Sequence, residues 1–269
     1  MNEEVKRLAL SEDYSYEDLI SILNILRSPD GCPWDREQTH TSIRKNLIEE
    51  TYEVVEAIDN LDMSLMKEEL GDLLMQIIFH ATMAEENGAF SMADVVNDVS
   101  KKLVHRHPHI FGDTEVKDSS DVLRNWDAIK AKEKARLSST DKMRAVPPSL
   151  PALMRAEKIS ARAAKDDFDF PTSESAAEKI YEEMREVAEA KSESEVFEEV
   201  GDLLFSVVHY ARKLGVDPEE ALNFASNKFI GRYAVMEEKL SESGKNLSDC
   251  DFDTKEKYWK MAKSYKKTV

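Results

Sequence analysis

Cysteine is scarce in this chain: there are two, Cys32 and Cys250, far apart and without a CxxC spacing. No disulfide framework is expected, which suits a reducing compartment. Glycine and proline number only eight each, too few for the frequent turns of a many-stranded protein, so long helices joined by short loops are expected. No run of about 18 apolar residues occurs, so no segment is expected to span a membrane. The first ten residues, MNEEVKRLAL, hold no apolar stretch of signal-peptide length, and the chain reads as soluble and cytoplasmic. Positive charge is also short, with 37 Lys and Arg against 54 Asp and Glu and a net charge of −17. Such a surface repels nucleic acid and anionic lipid, so neither is expected as a partner.

What the chain does have is a repeated sentence. EELGDLLMQIIFHA, Glu68 to Ala81, returns as EEVGDLLFSVVHYA, Glu198 to Ala211, with seven of fourteen positions identical. Between the copies lies STDKMRAVPPSLP, Ser139 to Pro151, whose three closing prolines cannot continue a helix. The flanking motifs are duplicated too. An EExxE stretch precedes each copy, at Glu49, Glu50, Glu53 and at Glu182, Glu183, Glu186. A helix start follows each copy, Ser91 with Asp94 and Asp217-Pro218-Glu219-Glu220. Eleven residues after each cap comes a lysine, Lys102 or Lys228, and four further on an arginine, Arg106 or Arg232. Each half closes on Trp-x-x-x-Lys, at Trp126 and Trp259. Ser175 with Glu178 reads as a capping box for the second EExxE helix. The fold expected is all-α, with two tandem helical domains: residues 1–140, a proline-containing linker at 141–151, and residues 152–269. Helix pairs of this kind cannot cover their own apolar surface, so the halves should pack together or against another subunit.

Residues three and four apart share a helix face, so Glu50 projects with Glu53 and Glu183 with Glu186. The GDLL helices open with Glu69 and Asp72, or Glu199 and Asp202, again three apart. If the paired helices run antiparallel, four carboxylates converge in each half. Such a group is self-repelling unless a cation sits among it, and oxygen-only ligands suit a hard ion, Mg²⁺ or Mn²⁺, with more than one ion per site conceivable. Each motif alone in so acidic a chain is a solvated helix face. Both in order, twice, beside a very apolar run, need partners. Gly71 and Gly201 sit mid-helix at a cost of about 1 kcal/mol each relative to Ala, for which close helix packing or room for a ligand would account. The Lys-Arg pairs, Lys228 with Arg232 and Lys102 with Arg106, could neutralise a polyphosphate or belong to a solvated face. Trp259 could stack on a base or pack in the core.

Other chemistry finds little support. Cys32 has no partner base and reads as a small packed thiol. His105, His107 and His109 alternate around Pro108 without an acid or cysteine set beside them, and read as a structural segment. Only Glu37 to His40 fits Glu-x-x-His, so a di-iron bundle is discarded. No Walker A sequence occurs.

Together, GCPWDREQTH (Gly31 to His40), EETYEVVEAI, EELGDLL, HRHPHIFGD (His105 to Asp113), EEMREVAEA, EEVGDLLF and NKFIGRY resemble the MazG-type nucleoside triphosphate pyrophosphohydrolases, over nearly the whole chain. The resemblance implies an all-α tandem fold, usually a homodimer, and Mg²⁺-dependent hydrolysis of nucleoside triphosphates to monophosphate and pyrophosphate, often with broad base tolerance. It assigns metal to Glu183, Glu186, Glu199 and Asp202, with Glu50, Glu53, Glu69 and Asp72 as the matching set. Substrate falls to Lys228, Arg232 and Trp259, matched by Lys102 and Arg106. It favours the C-terminal half as the working site, although no acid is missing from the first. Glu182 or Glu186 is the expected proton acceptor for the attacking water. Two other readings stay open: a non-catalytic helical scaffold with structural cation sites, and a related phosphoribosyl-nucleotide pyrophosphohydrolase.

Overall fold

A computed structural model describes residues 3–133 and 138–264. Among these there is no strand; the chain is a series of helices in two compact units, Met1–Lys130 and Ala131–Val269.

The first unit holds α1 (Glu3–Ala9), α2 (Tyr16–Arg27), α3 (Pro33–Glu37), α4 (Arg44–Asp59), α5 (Met63–Glu86), α6 (Met92–Arg106), α7 (Pro108–Phe111) and most of α8 (Ser119–Glu133). Its central feature is the hairpin of α4 and α5, turned by three residues in which Leu61 takes a left-handed backbone (φ 54°). Asp62 caps α5, accepting from the amides of Ser64 and Leu65. The apolar run of the GDLL segment does become core: Ile78, Phe79 and Met83 bury against Leu23 of α2 and Ile43. Arg27 closes the end of this core. Its guanidinium is nearly buried, holds Glu86 through Nε and Nη2 at 2.7 Å each, and donates to the carbonyls of Asp35 and Gln38. The turn that lets the chain double back to those carbonyls needs Gly31, where a Cβ would lie 2.3 Å from the carbonyl oxygens of Ile25 and Leu26.

The second unit holds α9 (Ser139–Arg144), α10 (Ala152–Ala164), α11 (Ser173–Glu189), α12 (Glu193–Lys213), α13 (Pro218–Glu242), a 3₁₀ turn at Leu247–Asp249 and α14 (Phe252–Ser264). The hairpin of α11 and α12 repeats that of α4 and α5. The start of α11 corrects one sequence expectation. Thr172 is its cap and Ser175 the third residue of the capping box, so Ser175 answers the cap instead of being it, and Glu178 has no part. The caps at Ser91 and Asp217 are as expected. The proline-containing stretch is no bare tether: α9 packs on α10, and Val146 is 1% exposed. The segment leading into α11 is fastened to α12 by Asp169, which accepts from His209 at 2.7 Å, from Arg212, and from Lys213 at 3.3 Å. Burial pushes the Asp169 carboxyl up, but these three donors outweigh it and hold it well below the usual carboxylate range.

Candidate metal and nucleotide site

Each hairpin brings its acids together. One carboxylate oxygen from each of Glu50, Glu69 and Asp72 lies within 4.8 Å of the others, and the same holds for Glu183, Glu199 and Asp202. The EExxE faces of α4 and α11 meet the first turns of the GDLL motif because the short hairpin turns force the paired helices antiparallel. Glu53 and Glu186 stand one turn along, both exposed. Burial raises the Glu50 carboxyl, reinforced by the charges of Asp72, Glu53 and Glu69. Burial raises Glu69 likewise, then Glu53, Glu68 and Asp72. In the second unit Glu186, exposed as it is, is raised by partial desolvation and by Glu183, and Glu199 by partial desolvation, Glu183 and Asp202. These are carboxylates crowded beyond what they would choose alone, and a cation among them relieves the repulsion.

Glu183 is the most telling member. It is 3% exposed, and its Oε2 is buried without a hydrogen-bond partner. A carboxylate oxygen taken out of water and left unpaired is costly, and a metal ion fits that vacancy in bonding. The donor set is all oxygen, which favours Mg²⁺ or Mn²⁺ over softer metals. Gly71 and Gly201 add to the fit. A Cβ at either would meet nothing within 4 Å, so close helix packing does not explain them, and the space beside each glycine is open.

The basic residues lie elsewhere on the helices. Lys228 is exposed on α13, with its Nζ 5.4 Å from the Phe224 ring centre. Arg232 is half-buried one turn on. Among the described residues neither makes an ion pair. Trp259 of α14 packs against Phe229, with ring centres 4.9 Å apart, and joins the cluster of Val235, Met236, Leu240 and Ala262. In the first unit Lys102 is exposed, while Arg106 and Lys130 lie 5.9 and 3.4 Å from the Trp126 ring. The structure thus gathers the acids at each hairpin, while the contacts of Arg106, Trp126 and Trp259 tie the later helices of each unit to one another.

Lys179 escaped the sequence reading. Its Nζ lies 2.8 Å from Glu182 and 2.6 Å from Glu183, and its spacing of three and four residues from these acids was the available signal. The pairing lowers the Glu182 carboxyl, which makes Glu182 a poorer proton acceptor than Glu186. His40, which fits Glu-x-x-His in the sequence, stacks in parallel on His80, Nδ1 to Nδ1 at 2.8 Å, a pairing that no spacing signals. The three histidines His105, His107 and His109 form no metal-binding group among the described residues.

Residues 38–111 and 171–235 match the MazG nucleotide pyrophosphohydrolase domain. The chain belongs to the MazG family. The two matched segments contain both acid clusters and both Lys-Arg pairs, whereas Trp126 and Trp259 fall outside them. The chain is similar to the nucleoside triphosphate pyrophosphohydrolase/pyrophosphatase MazG of Thermotoga maritima, with 45% identity over 92% of this chain and 95% of that one. It is similar to the nucleoside triphosphate pyrophosphohydrolase of Escherichia coli K12, with 42% identity over 91% and 95%. It also shares 42% identity with the uncharacterized protein YabN of Bacillus subtilis, over 93% of this chain and 52% of that protein. The all-α architecture agrees with that expected from the MazG resemblance, and no helix among the described residues is long and apolar enough to cross a membrane.

Proposed function

We propose that this MazG-family chain hydrolyses nucleoside triphosphates to the monophosphate and pyrophosphate, with Mg²⁺ as the working ion and Mn²⁺ as a substitute. Breadth in the base and a role in clearing the nucleotide pool go with this reading. The observation that carries it is the converging all-oxygen cluster with the buried, unpaired Oε2 of Glu183. Bound there, a divalent ion supplies Lewis acidity toward the phosphates and lowers the pKa of a water. Glu183, Glu199 and Asp202, with Glu186 beside them, hold the ion; Glu50, Glu69, Asp72 and Glu53 are their counterparts. Glu186, raised and exposed, is the better-placed proton acceptor. Lys228 and Arg232 steady the leaving pyrophosphate, and Trp259 borders the base.

We take residues 152–269 as the main catalytic half, 1–140 as its duplicate and 141–151 as the stretch between them. The assembly proposed is a homodimer. It is supported by exposed apolar side chains that a second copy would cover, among them Phe197 at 84%, Phe224 at 70% and Ile230 at 64%. The test is incubation with Mg²⁺ and a nucleoside triphosphate. Pyrophosphate with monophosphate is the expected outcome. Orthophosphate alone would indicate a different phosphohydrolase, and metal binding without product would leave the scaffold reading. Turnover of a phosphoribosyl-nucleotide in preference to free triphosphates would move the assignment to that neighbouring class.

A further inference from the structure

The two acid clusters differ in the residue one helical turn before the second glutamate of EExxE. Four residues before Glu183 stands Lys179, and four residues before Glu50 stands Asn46. Lys179 is one-third exposed and spans Glu182 and Glu183 at 2.8 and 2.6 Å. The lysine beside Asn46, Lys45, pairs with Glu49 at 2.8 Å on an exposed face. Among the described residues, Glu183 of the second cluster carries an ion pair with a lysine, and no such pair is made by Glu50, Glu69 or Asp72 of the first. The contact is also one-sided. Lys179 takes Oε1 of Glu183 and leaves the buried Oε2 bare, so the lysine mutes the cluster without completing it. Its charge reaches further, opposing the mutual repulsion felt at Glu186 and Glu199.

Resting on the metal reading above, we propose that Lys179 is a built-in counter-ion: it partly satisfies the second acid cluster in the metal-free protein and makes it a weaker site for a free divalent ion than the first, where Asn46 stands in the corresponding place. The physical reason is direct. An ammonium ion and a divalent cation on one carboxylate repel each other in a partly dehydrated site, where charges are poorly screened. An incoming ion must either work against that charge or displace it. In the first unit the ion meets only acids that repel one another, and binding relieves them.

The test is Mn²⁺ binding to the full chain without nucleotide, followed by the electron paramagnetic resonance signal of free Mn²⁺. Two classes of site are expected, with Asp72→Asn removing the tighter and Asp202→Asn the weaker. Lys179→Met should tighten the weaker class by about tenfold or more, and Asn46→Lys should weaken the tighter class by a similar factor, the scale set by one partly screened unit charge. Circular dichroism and a thermal melt confirm that each variant is folded, and the Asn46→Lys arm stands alone if Lys179→Met is not. Equal affinity of the two classes overturns the inference. So does unchanged or weakened binding in Lys179→Met, which would make the lysine a positioning group for Glu183. If the parent chain binds no Mn²⁺, the metal reading itself fails, which is a different result from two bound ions of equal affinity.

Discussion

The hairpin of the first unit and that of the second carry the same acids on opposite supports. In the first, the latch beside the core is a buried cation, Arg27, gripping Glu86 and two carbonyls. In the second, the latch is an acid, Asp169, gripped by His209, Arg212 and Lys213. The surroundings of the acids diverge too: Lys179 pairs with Glu183 in the second cluster, and Asn46 holds the corresponding place in the first. The geometry of the carboxylates survived duplication, and the charges that fasten the hairpin and tune its acids did not. This contrast separates what the acid cluster requires, two antiparallel helices in register, from what can be supplied in more than one way.

The largest effect should come from asking which cluster works. Glu186→Ala is expected to lower pyrophosphate release by about a hundredfold or more, while Glu53→Ala stays within about threefold, both with folding confirmed. Equal losses would make the halves functional equals, and full turnover in both would sink the carboxylate assignment.

The latches come next. Asp169→Asn leaves three bases around a neutral amide and should destabilise the second unit by about 2 kcal/mol, read from urea unfolding. The sign with pH follows from its depressed carboxyl. The stabilisation is fully present above the usual Asp range of about 4 and is lost as pH falls through it toward the lower folded value. Arg27→Met should destabilise the first unit comparably, without that acid limb.

A smaller effect separates bound from unbound clusters. Glu50, Glu69, Glu186 and Glu199 are all raised, so the folded chain binds protons there more readily than the unfolded one. Without metal, these groups favour folding at low pH and lose that contribution as pH rises through their raised range. Mg²⁺ should therefore raise the melting temperature more at about pH 8 than at about pH 5, where protons compete for the same oxygens. A stabilisation independent of pH would mean that the ion binds elsewhere.

The smallest concerns the glycines. With nothing near a Cβ at Gly71 or Gly201, alanine should stabilise each helix by up to about 1 kcal/mol. If the open space beside Gly201 is used by substrate, Gly201→Ala will raise KM while Gly71→Ala leaves it alone. Equal, unaltered KM values would show that the space is idle.

Much of this was legible in the sequence. The repeated GDLL segment, the three-residue acid spacings and the caps at Ser91 and Asp217 are local features, and helix periodicity translates them directly into shared faces. The start of α11 was misplaced because Thr172 and Ser175 offered a competing capping pair just upstream. Lys179 does not stand out in the sequence because an i, i+4 Lys-Glu pair is ordinary on a solvated helix, and only the burial of Glu183 makes this one unusual. The Asp169 and Arg27 latches link residues about 40 to 60 positions apart, and no periodicity encodes such pairings. Sequence spacing does not choose between a base and the core for Trp259; its packing on Phe229 and the Met236–Leu240 cluster is a tertiary fact.

The bare Oε2 of Glu183 also says something about selection. A leucine or methionine at that position would bury more comfortably, so the glutamate stands where thermostability alone would not have put it. Libraries of this chain screened only for heat resistance should discard Glu183 early, and the survivors would be sturdier proteins without the proposed metal ligand. A glutamate held at that cost is what the proposed metal site calls for.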